Sequence, residues 1–294
     1  MPELPDVEVY VEKVAALLRG QTLTKLVLLN PFLLRTVDPP PDVFAGKRLL
    51  GTRRIGKRVV LEFEGELFAV LHLMIAGRLR WLARGKKAPG RIAQATFEFE
   101  NGTLVLTEAG SKRRASLHLV RGANAVAAFD PGGIELQQAT LEQFRQRLTQ
   151  ENHTLKRALT DPHSFAGIGN AYSDEILFRA KLSPLALTRN LTEEEIARLF
   201  AACRAVLAEW TERLREQAGT AMPENVTAFR PEMAVHGKYG QPCPVCGSPV
   251  QRIVYAENET NYCARCQTGG RLLADRSLSR LLHASWPKSI DELG

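Results

Sequence analysis

Apolar residues recur at helical spacing near the start of the chain: Val7, Tyr10, Val11, Val14, Leu17 and Leu18 share one face, Pro5 suits a first turn, and Gly20 ends the run. The pattern predicts an amphipathic helix over 5–18. Short runs with strand character follow at 24–29, 59–63, 67–73, 95–99 and 103–106, separated by Gly-, Pro- and charge-rich turns, a cadence of a β-sandwich or barrel. At Asp130-Pro-Gly-Gly133 the pattern breaks. From about 140 to 217 helical periods dominate, the clearest over 193–215. The expected division is therefore 1–132, 133–235, a cysteine-bearing hairpin at 236–267, and a tail at 268–294 with helical leucine spacing.

The chain has 294 residues, enough for two domains with cores of their own. Its 39 Lys and Arg against 32 Asp and Glu give a net charge of +7, which favours a polyanionic partner. The first fourteen residues carry four acids and no basic segment ahead of an apolar core, unlike a secretory signal. No apolar run reaches the ~20 residues of a membrane span. A cytoplasmic, nucleoid-associated monomer is expected, with no membrane contact.

Four of the five cysteines form two knuckles, Cys243-Pro-Val-Cys246 and Cys263-Ala-Arg-Cys266, with 16 residues between them. That spacing lets four thiolates converge tetrahedrally on one Zn²⁺. A closed set leaves no position for substrate, so the ion is expected to be structural. Arg252, Arg265, Arg271 and Arg276 are the basic residues such a hairpin would present to phosphates.

Three motifs in order, Met1-Pro-Glu-Leu-Pro-Asp-Val-Glu8, Phe165-Ala-Gly-Ile-Gly-Asn-Ala-Tyr172 followed by Ser-Asp-Glu-Ile-Leu, and the four-cysteine module, make the chain resemble formamidopyrimidine-DNA glycosylases and their endonuclease VIII relatives. The resemblance implies an α+β protein: an N-terminal two-layer β-sandwich with an opening helix, a helix-two-turn-helix domain, and a zinc-finger hairpin. It also implies base-excision repair of damaged double-stranded DNA, with glycosylase and AP-lyase activity. Removal of Met1 would free the secondary amine of Pro2 to attack the sugar C1′, with Glu3 as general acid and base. Lys57 matches the family lysine that holds the lesion nucleotide and its phosphate. Lys156 and Asn170 match positions that grip the DNA backbone, and Gly167 and Gly169 would let turn amides approach a phosphate. His72 reads better as a satisfied core histidine than as a catalytic one.

Departures from the family pattern bear on specificity. Family members fill the gap left by an extruded base with three side chains, and the matching positions here hold Ile75 (or Met74, one residue earlier), Arg113 and Ala115. Alanine cannot act as a wedge. Asn258 stands between Glu257 and Glu259 where many relatives carry a phosphate-gripping arginine, so β-elimination is expected without efficient δ-elimination. Residues 219–235 match the loop that caps an extruded purine in some relatives without spelling the familiar sequence. Oxidised or ring-opened purines are favoured over pyrimidines on resemblance alone. A catalytically weakened damaged-DNA-binding protein of the same fold and an RNA-directed zinc-ribbon protein stay open as alternatives.

Overall fold

The computed structural model describes residues 1–110, 112–224, 226–255, 258–274 and 287–293. The chain forms two compact units, Met1–Pro131 with Trp210–Thr227, and Gly132–Glu209 with Ala228–Gly294.

The first unit opens with helix α1 (Leu4–Leu18), which supplies Val7, Tyr10, Val14 and Leu18 to the core. Eight strands follow: β1 (Leu23–Leu28), β2 (Leu49–Ile55), β3 (Arg58–Phe63), β4 (Leu67–His72), β5 (Gly77–Ala83), β6 (Ala93–Phe99), β7 (Gly102–Glu108) and β8 (Ser116–Arg121). They form two antiparallel four-stranded sheets, ordered β1-β6-β7-β5 and β2-β3-β4-β8. Successive side chains of a strand face opposite ways. Val59, Leu61 and Phe63 of β3 accordingly join α1 and the other sheet in the main core, while Val60 turns outward to Val70, Val120 and Val126. The short helix α2 (Ala123–Ala127) brings Val126 to that second cluster. The expected strand positions all fall within strands of these two sheets, or within a residue of their ends.

The second unit contains α3 (Leu141–Thr149), α4 (Leu155–Thr160), α5 (Asn170–Arg179) and the beginning of α6 (Glu193–Ala218). Thr140 and Gln143 close α3 with a reciprocal capping box, and the Phe144 ring lies 5.0 Å from that of Phe165 and 5.1 Å from that of Phe200. The hairpin β9 (Gln251–Tyr255) and β10 (Asn258–Tyr262) leads into α7 (Ala264–Thr268). The end of α6 falls in the first unit, where Arg215 pairs with Glu12 at 2.6 Å. Of the tail, Arg271 and Ser289 form an isolated bridge, and Arg276 with most of the expected helix lies outside the described residues.

Candidate active site and nucleic-acid interface

Helix α1 begins where Glu3 takes an extended backbone and its N–H donates to Asp6 Oδ2 at 3.0 Å. Val7 N–H donates to the Glu3 carbonyl at 3.0 Å, closing the first turn. Pro2 is buried, and the two carboxylates beside it are 2% (Glu3) and 4% (Asp6) exposed. Burial holds the Met1 ammonium below its ordinary value; Glu3 opposes this, Arg78 adds to it, Asp6 opposes it, and Lys57 adds to it. Lys57 is thus close enough to bear on the chain start. It sits with Gly56 in the turn between β2 and β3, and Gly56 has φ +55°, the left-handed region that suits a residue without Cβ. Arg54 braces the turn by bonding the Gly56 carbonyl at 2.8 Å and Glu8 at 2.7 Å.

His72 ends β4 opposite Arg58 and Ser116. Burial and the neighbouring charges of Arg58, Lys57 and His118 lower its pKa to about 4, so the ring is neutral at physiological pH. The next residues turn sharply. Gly77 N–H reaches the Leu73 carbonyl at 2.8 Å, and a Cβ on Gly77 would stand 2.2 Å from that oxygen, so only glycine fits. Met74 takes φ +51° within the turn, and Ile75 is presented to solvent with 56% of its surface exposed.

Arg113 lies on the exposed loop between β7 and β8, its guanidinium donating to the Arg91 carbonyl at 2.7 Å. The loop is anchored from below: the Glu108 carboxylate, 2% exposed, accepts from the backbone N–H groups of Arg114 at 2.9 Å and Ala115 at 3.2 Å. Ala115 itself is 4% exposed and belongs to the sandwich core, so its position offers nothing to a base stack.

In the second unit, Lys156 projects from α4 toward α5. Its Nζ donates to the Asn170 carbonyl at 2.7 Å and to Asp174 Oδ1 at 2.6 Å. Asp174 is fully buried, and its second oxygen is 2.8 Å from His236 Nδ1. Glu175 accepts from the N–H groups of Ala234, Val235 and His236 at 2.8–2.9 Å. Asn170, at the amino end of α5, donates through Nδ2 to the Glu259 carbonyl of β10 at 2.8 Å. Gly167, just upstream, has φ +80°. Asn258 is exposed at the start of β10, and Ala256 and Glu257 lie outside the described residues. Arg252 lies 4.2 Å from the centre of the Tyr239 ring and 3.2 Å from Glu259, while Arg265 pairs with Asp291. Both arginines therefore have an acidic neighbour.

The sulfurs of Cys243, Cys246, Cys263 and Cys266 all lie within 4.8 Å of one another, with Cys243 and Cys266 at 3.9 Å and Cys246 and Cys263 at 3.4 Å. Zn–S bonds of about 2.3 Å in a tetrahedron require sulfurs roughly 3.8 Å apart, so the four thiols fit one zinc ion. The four cysteines are this protein's zinc site. Cys203 is fully buried, and burial pushes its thiol up, away from reactivity.

Sequence reasoning nominates Pro2, Glu3 and Lys57, which lie in the first unit, and Lys156 and Asn170, which lie in the second, where Lys156 Nζ bonds the Asn170 carbonyl. It misses Arg78, Glu108, Asp174 and His236. Acids on a helix are usually solvated, so nothing local marks Asp174 and Glu175 as inward-facing or His236 as a partner.

The chain matches known proteins along most of its length. Residues 1–115 match the formamidopyrimidine-DNA glycosylase N-terminal domain, 130–221 its H2TH domain, and 240–269 the zinc finger found in FPG and IleRS. The formamidopyrimidine-DNA glycosylase of Thermus thermophilus is 35% identical over 280 residues, covering 92% of this chain and all of the relative. The crystal structure of the MutM (Fpg) protein from the same organism superposes with a TM-score of 0.76 at 33% identity, covering 90% of this chain and 98% of the other. The Lactococcus lactis Fpg in complex with DNA containing an abasic site shares the fold, with a TM-score of 0.81 at 24% identity over 90% of this chain and 99% of the other. With these matches spanning both units and the zinc module, the chain belongs to the formamidopyrimidine-DNA glycosylase family of base-excision repair enzymes.

Proposed function

We propose that this glycosylase acts on damaged duplex DNA through the amine of Pro2 once Met1 is removed. The neutral amine attacks C1′ of the damaged nucleotide and the base leaves, giving a cationic Schiff base. The iminium acidifies C2′, and loss of that proton breaks the 3′ C–O bond by β-elimination. Glu3 takes and returns protons beside the amine, and Lys57 holds the lesion phosphate. Arg113, with Ile75 or Met74, enters the gap left by the extruded nucleotide, while Lys156 and Asn170 hold the backbone.

The observation that carries this reading is the environment of the chain start: Pro2 is buried in a segment with two buried carboxylates, Glu3 and Asp6, and the charges of Arg78 and Lys57 are felt at the residue before it. Borohydride trapping on a duplex with one abasic site tests it. The wild type gives a covalent adduct at the chain start. Pro2→Gly gives markedly less. An equal adduct from Pro2→Gly removes the proposal, and no adduct from the wild type points instead to a weakened damaged-DNA-binding protein, the reading that Asn258 and the buried Ala115 favour.

Oxidised or ring-opened purines are the proposed lesions, and β-elimination the end point, because Asn258 brings no charge to the phosphates. The enzyme works as a cytoplasmic monomer, and no helix among the described residues is long and apolar enough to cross a membrane. A panel of duplexes carrying different damaged bases, scored for excision and for end chemistry, separates these points.

A further inference from the structure

Arg78 collects carbonyl groups from two segments far apart in the chain. Its Nη1 donates to the carbonyl oxygens of Ile75 at 3.1 Å and Gly77 at 2.6 Å, and its Nε donates to that of Val226, 148 positions along, at 2.6 Å. The first two carbonyls belong to the turn that exposes Ile75. The backbone of Arg78 is itself fixed: β5 pairs it with Thr107 of β7, whose hydroxyl donates to the Arg78 carbonyl at 3.2 Å. All of these residues lie in the first unit.

The segment that reaches Val226 is seated on the same unit. Met222 and Val226, 7% and 6% exposed, join the core of the sandwich, and Lys13 of α1 donates to the Gly219 carbonyl ahead of them. Burial of apolar side chains is non-directional and leaves the register of a segment open, whereas a planar guanidinium with donors on two edges sets it. Residues 219–226 open the stretch that the resemblance makes the cap over an extruded nucleotide. One side chain therefore bonds both segments, and its charge is felt at the Met1 amine as well.

We propose that Arg78 is a positioning residue that locks the turn carrying Ile75 to the segment carrying Met222 and Val226, so that the side chain entering the duplex and the cap over the extruded nucleotide are set as one piece. The proposal rests on the base-excision reading and adds to it a residue that acts through its neighbours, not by contact with the reacting atoms. Removal of a base needs the extruded nucleotide held by both segments. An abasic site has no base to cap, so the loss of Arg78 falls more heavily on excision than on attack at an abasic sugar.

The test compares the zinc-loaded full chain as wild type, as Arg78→Met, which keeps a long stem without donors, and as Arg78→Lys, which keeps the charge without the planar fork. On a duplex carrying the damaged base that the wild type removes fastest, Arg78→Met loses about 10- to 150-fold in the single-turnover rate of excision, the scale of a hydrogen bond to a charged group, and loses less in borohydride trapping on an abasic duplex. Arg78→Lys recovers part of the excision rate. Hydrogen exchange over residues 219–227 quickens in Arg78→Met. Excision and trapping that fall by the same factor, or unchanged exchange over 219–227, would overturn the assignment and leave the base-excision reading standing. A wild type that removes no damaged base would overturn both.

Discussion

Lys156 and His236 share one carboxylate: Asp174 receives the ammonium on Oδ1 at 2.6 Å and the imidazole on Oδ2 at 2.8 Å, with no exposure to solvent. A buried carboxylate held this way is costly to disturb, because removing it leaves a desolvated ammonium without its counter-charge. Asp174→Ala is expected to lose about 3–5 kcal/mol of stability, read as a lower urea midpoint of the zinc-loaded protein. Lys156→Ala, which leaves Asp174 with His236, should cost less stability and more DNA affinity. Equal stability losses would show that the pair is not coupled as its geometry implies.

His72 predicts an acid-side weakness. Its pKa is about 4 in the folded chain against 6.5 ordinarily, so above pH 6.5 both folded and unfolded states are neutral there and the full contribution is present. Below pH 6.5 the unfolded chain takes a proton that the folded chain refuses, and stability falls until the folded pKa is passed. The loss is about 2–3 kcal/mol between pH 7 and 4. His72→Gln should flatten that part of the stability profile, and an unchanged slope would assign the acid sensitivity elsewhere.

Glu108 is expected to matter through the loop it holds rather than through any contact with DNA. Glu108→Ala strands the N–H groups of Arg114 and Ala115, at about 1–3 kcal/mol for a buried donor left unsatisfied. Faster hydrogen exchange at those two amides, together with weaker binding to abasic duplex, is the expected outcome. Weaker binding with unchanged exchange would deny the anchoring role.

The five cysteines should separate into two classes. Metal analysis should find one zinc ion per chain, and chelation should expose four thiols to a labelling reagent while Cys203, fully buried, stays silent until the chain unfolds. Labelling of Cys203 at the same rate as the other four would contradict its burial.

What could be read from the sequence was what short-range periodicity or fixed spacing encodes. The opening helix is legible because Val7, Tyr10 and Val14 repeat at its period, and the zinc site because two knuckles specify a tetrahedron. The chemistry of Pro2, Glu3 and Lys57 came from motif resemblance, not from any periodicity. Less legible was β2, whose Gly51, Thr52, Arg53 and Arg54 interrupt the apolar pattern at the edge of its sheet. Helix α6 gives no local sign that its residues divide between two compact units, because its apolar period runs through the division. The burial of Ala115 was equally hidden, since alanine suits core and surface alike. The Asp174–His236 contact joins residues 62 positions apart, a separation that no local pattern can report.

The Asn170–Glu259 hydrogen bond ties the amino end of α5 to a strand whose shape depends on thiolates, and Gln267 adds a second tie by donating to the Leu182 carbonyl at 2.9 Å. Peroxide reaching Cys246, the exposed member of the set, would release the ion and slacken the hairpin. The proposed backbone clamp would slacken with it. A chain stripped of its ion would therefore loosen at the amino end of α5 as well as in the hairpin itself.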